Sequence, residues 1–275
     1  MAALPTCRAS LQHVLDLTAG QAHAGLLLSR YLPTTNDNGA GTRNLLEAAR
    51  RAARLAATLY QKAFERWKQC TASAETRELR VRGRLIIGLG AENVLETGIT
   101  LHHTYGTPII PGSALKGLAS HYCDRVGGTR DAEYRPEVEE TRPDGMTVKR
   151  PGRHFRELFG VTEDAGHIVF HDAWILPESL KQANGGLVLD VMTPHHGPYY
   201  MADPNDRRNA PTDFDAPNPV PFLSVTGKFR FAVECDVPGE EGRKWAALAM
   251  TLLEQALDAW GVGGKTNAGY GRFSK

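Results

Sequence analysis

Near residue 78 the hydrophobic period of this chain changes, and that change constrains the fold more than any other feature. Across Leu79–Ile87, positions 79, 81, 83, 85 and 87 are Leu, Val, Gly, Leu and Ile, while Arg80, Arg82 and Arg84 occupy the alternate face. Period two marks a half-buried strand, here with a row of arginines on its open side. Leu223–Cys235 repeats the pattern. Leu223, Val225, Phe229, Phe231, Val233 and Cys235 point one way, and Ser224, Thr226, Lys228, Arg230 and Glu234 the other. A third run, His167–Ile175, is strand-like but apolar on both faces.

Before residue 78 the period is helical. Leu11–Tyr31 is apolar-rich and stops at Pro33, and a loop follows over Thr34–Gly41. The next helix is predicted over about Arg43–Cys70. At 100° per residue Leu45, Leu46, Ala49, Ala52, Ala56, Leu59, Tyr60, Ala63, Phe64 and Trp67 share one arc. Arg43, Arg50, Arg51, Arg54, Lys62, Arg66 and Lys68 occupy the other, a basic face that suits solvent, RNA or a protein partner.

Two further helices interleave with the strands. Ser113–Val126 opens after Pro111-Gly112, with Ser113 as expected N-cap, and Arg243–Trp260 ends at Gly261 as expected C-cap. A short helix is expected around Phe155–Phe159. Gly127–Gly152 and Pro194–Pro221 read as long loops, the second holding His195, His196, Tyr199, Tyr200, Arg207 and Arg208. The element order from residue 78 is β-α-β-β-α-β, a ferredoxin-like (RRM-like) α+β arrangement. The expected division is a helical region over 1–76 packed on a domain over 77–275, with insertions near 127–152 and 194–221. Two helices should cover one sheet face and leave the arginine row, with Lys228 and Arg230, on the other.

Composition narrows the function classes. A hydrophobic fraction of 41% supports a packed core, and a net charge of +1 means that any nucleic-acid signal lies in where the cations sit. Cys7, Cys70, Cys123 and Cys235 are scattered without a CxxC pair, which argues against disulfides or a zinc ribbon. His102, His103, His121 and Cys123 lack the spacing of a recognised zinc site. No signal peptide or bilayer-length apolar run is present, so the expectation is a soluble cytoplasmic protein without metal or cofactor.

The strongest local motif is Gly261-Val-Gly-Gly-Lys-Thr-Asn-Ala-Gly-Tyr-Gly-Arg-Phe. Gly263 and Gly264 permit close backbone approach to a ligand. Lys265 and Arg272 supply charge, Thr266, Asn267 and main-chain amides supply donors for phosphate, and Tyr270 offers a ring for a base. Gly264-Lys265-Thr266 resembles the end of a P-loop. The first glycine of such a loop would fall at Ala259, however, and the segment follows a helix rather than a strand. The second motif, Ile109-Ile-Pro-Gly-Ser-Ala-Leu-Lys-Gly, sets Ser113 and Lys116 at a helix N-terminus, a setting that favours phosphate.

Together these motifs resemble the RAMP superfamily of CRISPR-associated proteins. Gly90-Ala-Glu-Asn-Val-Leu-Glu-Thr-Gly-Ile-Thr-Leu looks most like the sixth-subunit family of the Cmr (type III-B) effector complex. The resemblance covers roughly 78–126 and 223–275. It implies a ferredoxin-like RNA binder with a glycine-rich loop after its last helix. It also implies a non-catalytic subunit near the 3′ end of a guide RNA in antiviral defence, beside target RNA, a backbone RAMP subunit and a second RAMP subunit at the head of the complex. The expected RNA contacts are Gly263, Gly264, Lys265, Thr266, Asn267, Tyr270, Arg272, Lys116, Ser113, Arg80, Arg82 and Arg84. No catalytic residue is assigned. The alternatives are an endoribonuclease that processes CRISPR RNA, with His102 or His103 as base, and a protein-binding adaptor.

Overall fold

The computed structural model describes residues 22–32, 39–182, 186–193, 196, 199, 200, 202, 203, 210–215 and 217–275. Most of the expected Leu11–Tyr31 helix, with His195, Arg207 and Arg208, lies outside them. The N-terminal layer comprises α1 (Ala24–Arg30), α2 (Ala40–Leu55) and α3 (Ala57–Cys70). Then follow β1 (Glu75–Arg82), β2 (Ile109–Ile110), α4 (Gly112–Val126), β3 (Val138–Thr141), β4 (Thr147–Arg150), α5 (Arg153–Phe159), β5 (Gly160–Val161) and β6 (Asp164–Ala165). The rest of the chain is β7 (Ile168–Phe170), β8 (Ala173–Ile175), α6 (Pro177–Lys181), β9 (Leu187–Met192), β10 (Val220–Val225), β11 (Lys228–Cys235), α7 (Gly239–Ala259) and β12 (Arg272–Ser274).

The main sheet runs β12-β1-β11-β8-β2, with β7 also on β11, and its pairs are antiparallel. This is the ferredoxin-like order, in which the last strand sits beside the first and the third beside the second. Leu79 and Val81 of β1 sit opposite Phe229 and Phe273 in the register. They belong to one core cluster with Phe231, Val233, Leu115 and Ala119 of α4, and Leu253 and Leu257 of α7. Phe273 meets Phe229 and Phe231 edge-on at 6.1 and 5.3 Å. Each fully buried ring of this kind stabilises the fold by roughly 1.5–3 kcal/mol.

Glycines divide the expected strands. The first ends at Arg82 because Gly83 takes φ 75°, and only an isolated bridge from Leu85 to Val225 continues it. Leu223–Cys235 is two strands, because Gly227 at φ 123° turns the chain. β10 leaves the main sheet and pairs with β9. His167–Ile175 likewise becomes β7 and β8, interrupted at His171-Asp172, and its faces alternate rather than both being buried.

Three further expectations are corrected. The 43–70 helix is two, separated at Ala56. Arg50 of α2 donates to Leu187 O of β9 at 3.2 Å, while α3 packs on β8 and on α6. Leu59, placed on the buried arc by periodicity, is 65% exposed. The Gly127–Gly152 segment is not a loop: it holds the β3–β4 hairpin. Arg150 closes the base of that hairpin with bonds to Glu133 at 2.6 Å and to Glu140 at 2.6 Å.

The second sheet face is not fully open. Trp174, in register with Arg230, stacks on Tyr60 at 5.7 Å and on Trp67 at 5.3 Å, both from α3. Tyr60 Oη donates to Ile175 O at 2.7 Å. The helical layer therefore covers the β8 end of this face, while at the β1–β12 end Arg80 and Arg82 are exposed.

Candidate nucleic-acid interface

The glycine-rich segment closes on itself and on the chain beyond β1. Gly261 takes φ 80° after α7, and its amide reaches back to Ala256 O at 3.0 Å, which ends the helix as expected. The Val262 amide then donates to Gly271 O (2.9 Å), Gly264 to Ile86 O (2.8 Å) and Gly271 to Arg84 O (2.7 Å). Between these anchors Thr266–Ala268 makes a tight turn. Lys265 stands at φ 58°, a left-handed geometry that costs a non-glycine residue about 1 kcal/mol or more and is found preferentially at functional positions.

The glycines fall into two groups. A Cβ on Gly263 would lie 2.2 Å from Ile86 O, and one on Gly271 would lie 2.0 Å from Val262 O. The chain's own packing requires both. A Cβ on Gly269, at φ 87°, would meet nothing within 4 Å. Asn267, Ala268 and Gly269 form the exposed crest of the loop, flanked by half-buried Lys265, Thr266 and Tyr270.

The 88–100 segment lies on the same support. Ile87 O accepts the Thr100 amide at 2.7 Å and Leu89 O accepts the Gly98 amide at 3.1 Å, so the 88–100 loop and the terminal loop flank the Ile86–Leu89 stretch. Two loops far apart in sequence thus share one support. The helix that follows begins at Gly112, not after Ser113, which is exposed within the first turn. Asp172 caps it by accepting the Gly112 amide at 2.7 Å. A carboxylate of the chain itself therefore occupies part of the dipole site that the sequence offered to phosphate. Lys116 is half-buried one turn further on.

The arginine row separates into free and committed members. Arg80 is exposed and, with its register neighbour Lys228, forms no ion pair among the described residues. Arg82 binds the Asp258 carboxylate (2.7 Å) and carbonyl (2.8 Å) at the end of α7. Arg84 Nε lies 3.8 Å from Asp190 Oδ2, which also accepts Tyr270 Oη (2.7 Å) and Ser224 Oγ (3.1 Å). Burial, reinforced by the Asp190 carboxylate, pushes the Tyr270 phenol up to about 12. Lys265 and Lys116 carry no ion pair among the described residues, and Arg272 Nε is buried without a partner.

Sequence reasoning missed Asp190, Asp172 and Asp258. The only signal for Asp190 was a lone carboxylate within the apolar run Leu187–Met192. His102 and His121 are engaged in packing. His102 packs its ring on Trp174 and Tyr105, both at 4.7 Å, its Nδ1 accepts the Thr104 amide at 3.1 Å, and burial lowers its pKa. His103 is exposed. His121 packs on Trp260 at 5.1 Å, and Cys123 is buried. Among the described residues no three His, Cys, Asp or Glu side chains are placed to hold a metal, and no helix is long and apolar enough to cross a membrane.

A ferredoxin-like sheet with a glycine-rich loop planted beside its first strand defines an α+β protein of ferredoxin-like type. The sequence matches the RAMP superfamily over residues 78–274, and the chain belongs to that superfamily. Within it the chain is a relative of the CRISPR system Cmr subunit Cmr6 of Pyrococcus furiosus. The two are 31% identical over an alignment of 253 residues, spanning 78% of this chain and 72% of that protein. The crystal structure of Cmr6 from Pyrococcus furiosus superposes with a TM-score of 0.42 at 31% identity, covering 74% of this chain and 97% of that one. A chain in the cryo-EM structure of the type III-B Cmr-β complex bound to cognate target RNA has the same fold. Its TM-score is 0.53 at 20% identity, over 98% of this chain and 91% of that one.

Proposed function

We propose that this chain is the Cmr6-type RAMP subunit of a type III-B CRISPR effector complex, a non-catalytic subunit that binds guide RNA towards its 3′ end in antiviral defence. Its neighbours are target RNA, the backbone RAMP subunit and a second head RAMP subunit. The observation that carries the reading is the terminal loop, which presents Lys265, Thr266 and Asn267 beside the β1–β12 sheet end, with exposed Arg80 and half-buried Arg272. Gly263 and Gly264 set the path of that loop, and Lys116 and Ser113 extend the surface. Tyr270 lends its ring while its hydroxyl stays on Asp190. Arg82 and Arg84 join only by leaving Asp258 and Asp190. The helical region over 1–76 serves as a packed extension of the domain over 77–275.

Cations and amides of this kind grip the phosphate backbone, so binding has little sequence preference and falls steeply with salt. The test is to purify the tagged complex from its host and sequence the RNA that accompanies it. Short RNAs sharing a repeat-derived 5′ tag are expected. Lys265→Glu should lower RNA retention while leaving the melting temperature unchanged. Undiminished retention at physiological salt would remove the loop from the interface.

A further inference from the structure

The α2–α3 elbow carries a surface that neither the sheet core nor the RNA site uses. The two helices meet at Ala56 without a proline or glycine, and on either side of it Leu55 and Leu59 are 56% and 65% exposed. Arg54 lies beside Leu55, and Lys62 and Arg66 follow Leu59 at spacings of three and seven, on the same helix face. All three cations are exposed, with no ion pair among the described residues. Neighbouring cations on these helices are engaged: Arg50 with Glu47 and Leu187 O, and Lys68 with Glu65. The inward face is already filled by Tyr60, Phe64 and Trp67.

An apolar centre inside a cationic rim is the arrangement of a protein interface. A phosphate backbone has no use for two exposed leucines, and the stripe carries no aromatic ring on which a base would stack. We propose that the elbow docks onto an apolar depression bordered by carboxylates on a neighbouring protein subunit, and that it does not touch RNA. The inference rests on the proposed membership of a multi-subunit complex.

The experiment reconstitutes the complex with the full chain and its partner subunits, with and without ribonuclease, and compares two double variants. One is Leu55→Ser with Leu59→Ser; the other is Arg54→Glu with Lys62→Glu. All four side chains point to solvent, so circular dichroism should be unchanged. Each pair should weaken subunit incorporation about tenfold or more, while the isolated chain's affinity for a guide RNA stays within about twofold. If the leucine pair assembles normally and charge reversal lowers RNA affinity, the elbow is an RNA surface. If neither pair has an effect, it is a solvated face. Either result overturns the proposal. A wild-type chain that joins no complex would instead refute the functional reading beneath it.

Discussion

The same substitution at two glycines of one loop separates the chain's own packing from ligand binding. Gly263→Ala and Gly269→Ala both place a side chain at positive φ, 88° and 87°, which costs about 1–2 kcal/mol. At Gly269 nothing further follows, because the new Cβ meets open space. At Gly263 the Cβ would sit 2.2 Å from Ile86 O and 2.7 Å from Ile87 Cδ1. The backbone must retreat, at an overpacking cost of about 1–3 kcal/mol. The Gly264 amide also loses Ile86 O, worth about 1 kcal/mol. The expected totals are about 3–6 kcal/mol for Gly263→Ala and about 1–2 kcal/mol for Gly269→Ala. At about 2–4 °C per kcal/mol for a domain of this size, thermal unfolding should fall by about 6–24 °C in the first variant and by about 2–8 °C in the second. Urea midpoints should move in the same order. Equal losses would refute the reasoning, since they would mean that the loop is not seated on Ile86. Gly269→Ala should in addition weaken RNA binding, because Gly269 lies on the exposed crest.

Two further outcomes follow from the polar contacts. Tyr270→Phe removes the donor to Asp190, a hydrogen bond to a charged acceptor worth about 1.5–3 kcal/mol. It should lower the urea midpoint and speed amide exchange in residues 261–275, whereas unaltered exchange would show that Asp190 does not fix the loop. Glu133 is held down to about 2, first by the Arg150 side chain and then by the Arg153 amide. Its folded pKa is depressed below the unfolded value of about 4.3, so its stabilising contribution is present above that value and is lost as pH falls towards 2. Amide protection in the β3–β4 hairpin should therefore decay over that acidic window, and in an Arg150→Met variant the pH dependence should vanish.

The sequence by itself determined the elements that repeat regularly. Alternation in Leu79–Arg82 and Phe229–Val233 declared two half-buried strands, because a side-chain period of two depends only on which face meets the core. The element order then yielded the ferredoxin-like sheet, and the two RAMP-like motifs named the superfamily. Tertiary structure decided what local pattern cannot encode. Gly83 and Gly227 end strands that periodicity would have extended, because their positive φ is chosen by where the chain must turn next. Leu59 faces solvent although its spacing is that of a core residue, because α3 meets its partners through Tyr60, Phe64 and Trp67. Arg82 and Arg84 alternate as perfectly as Arg80, yet carboxylates of α7 and β9 claim them. Whether a cation is free depends on what folds beside it, and Asp190 and Asp258 come to the arginine row only when the sheet closes.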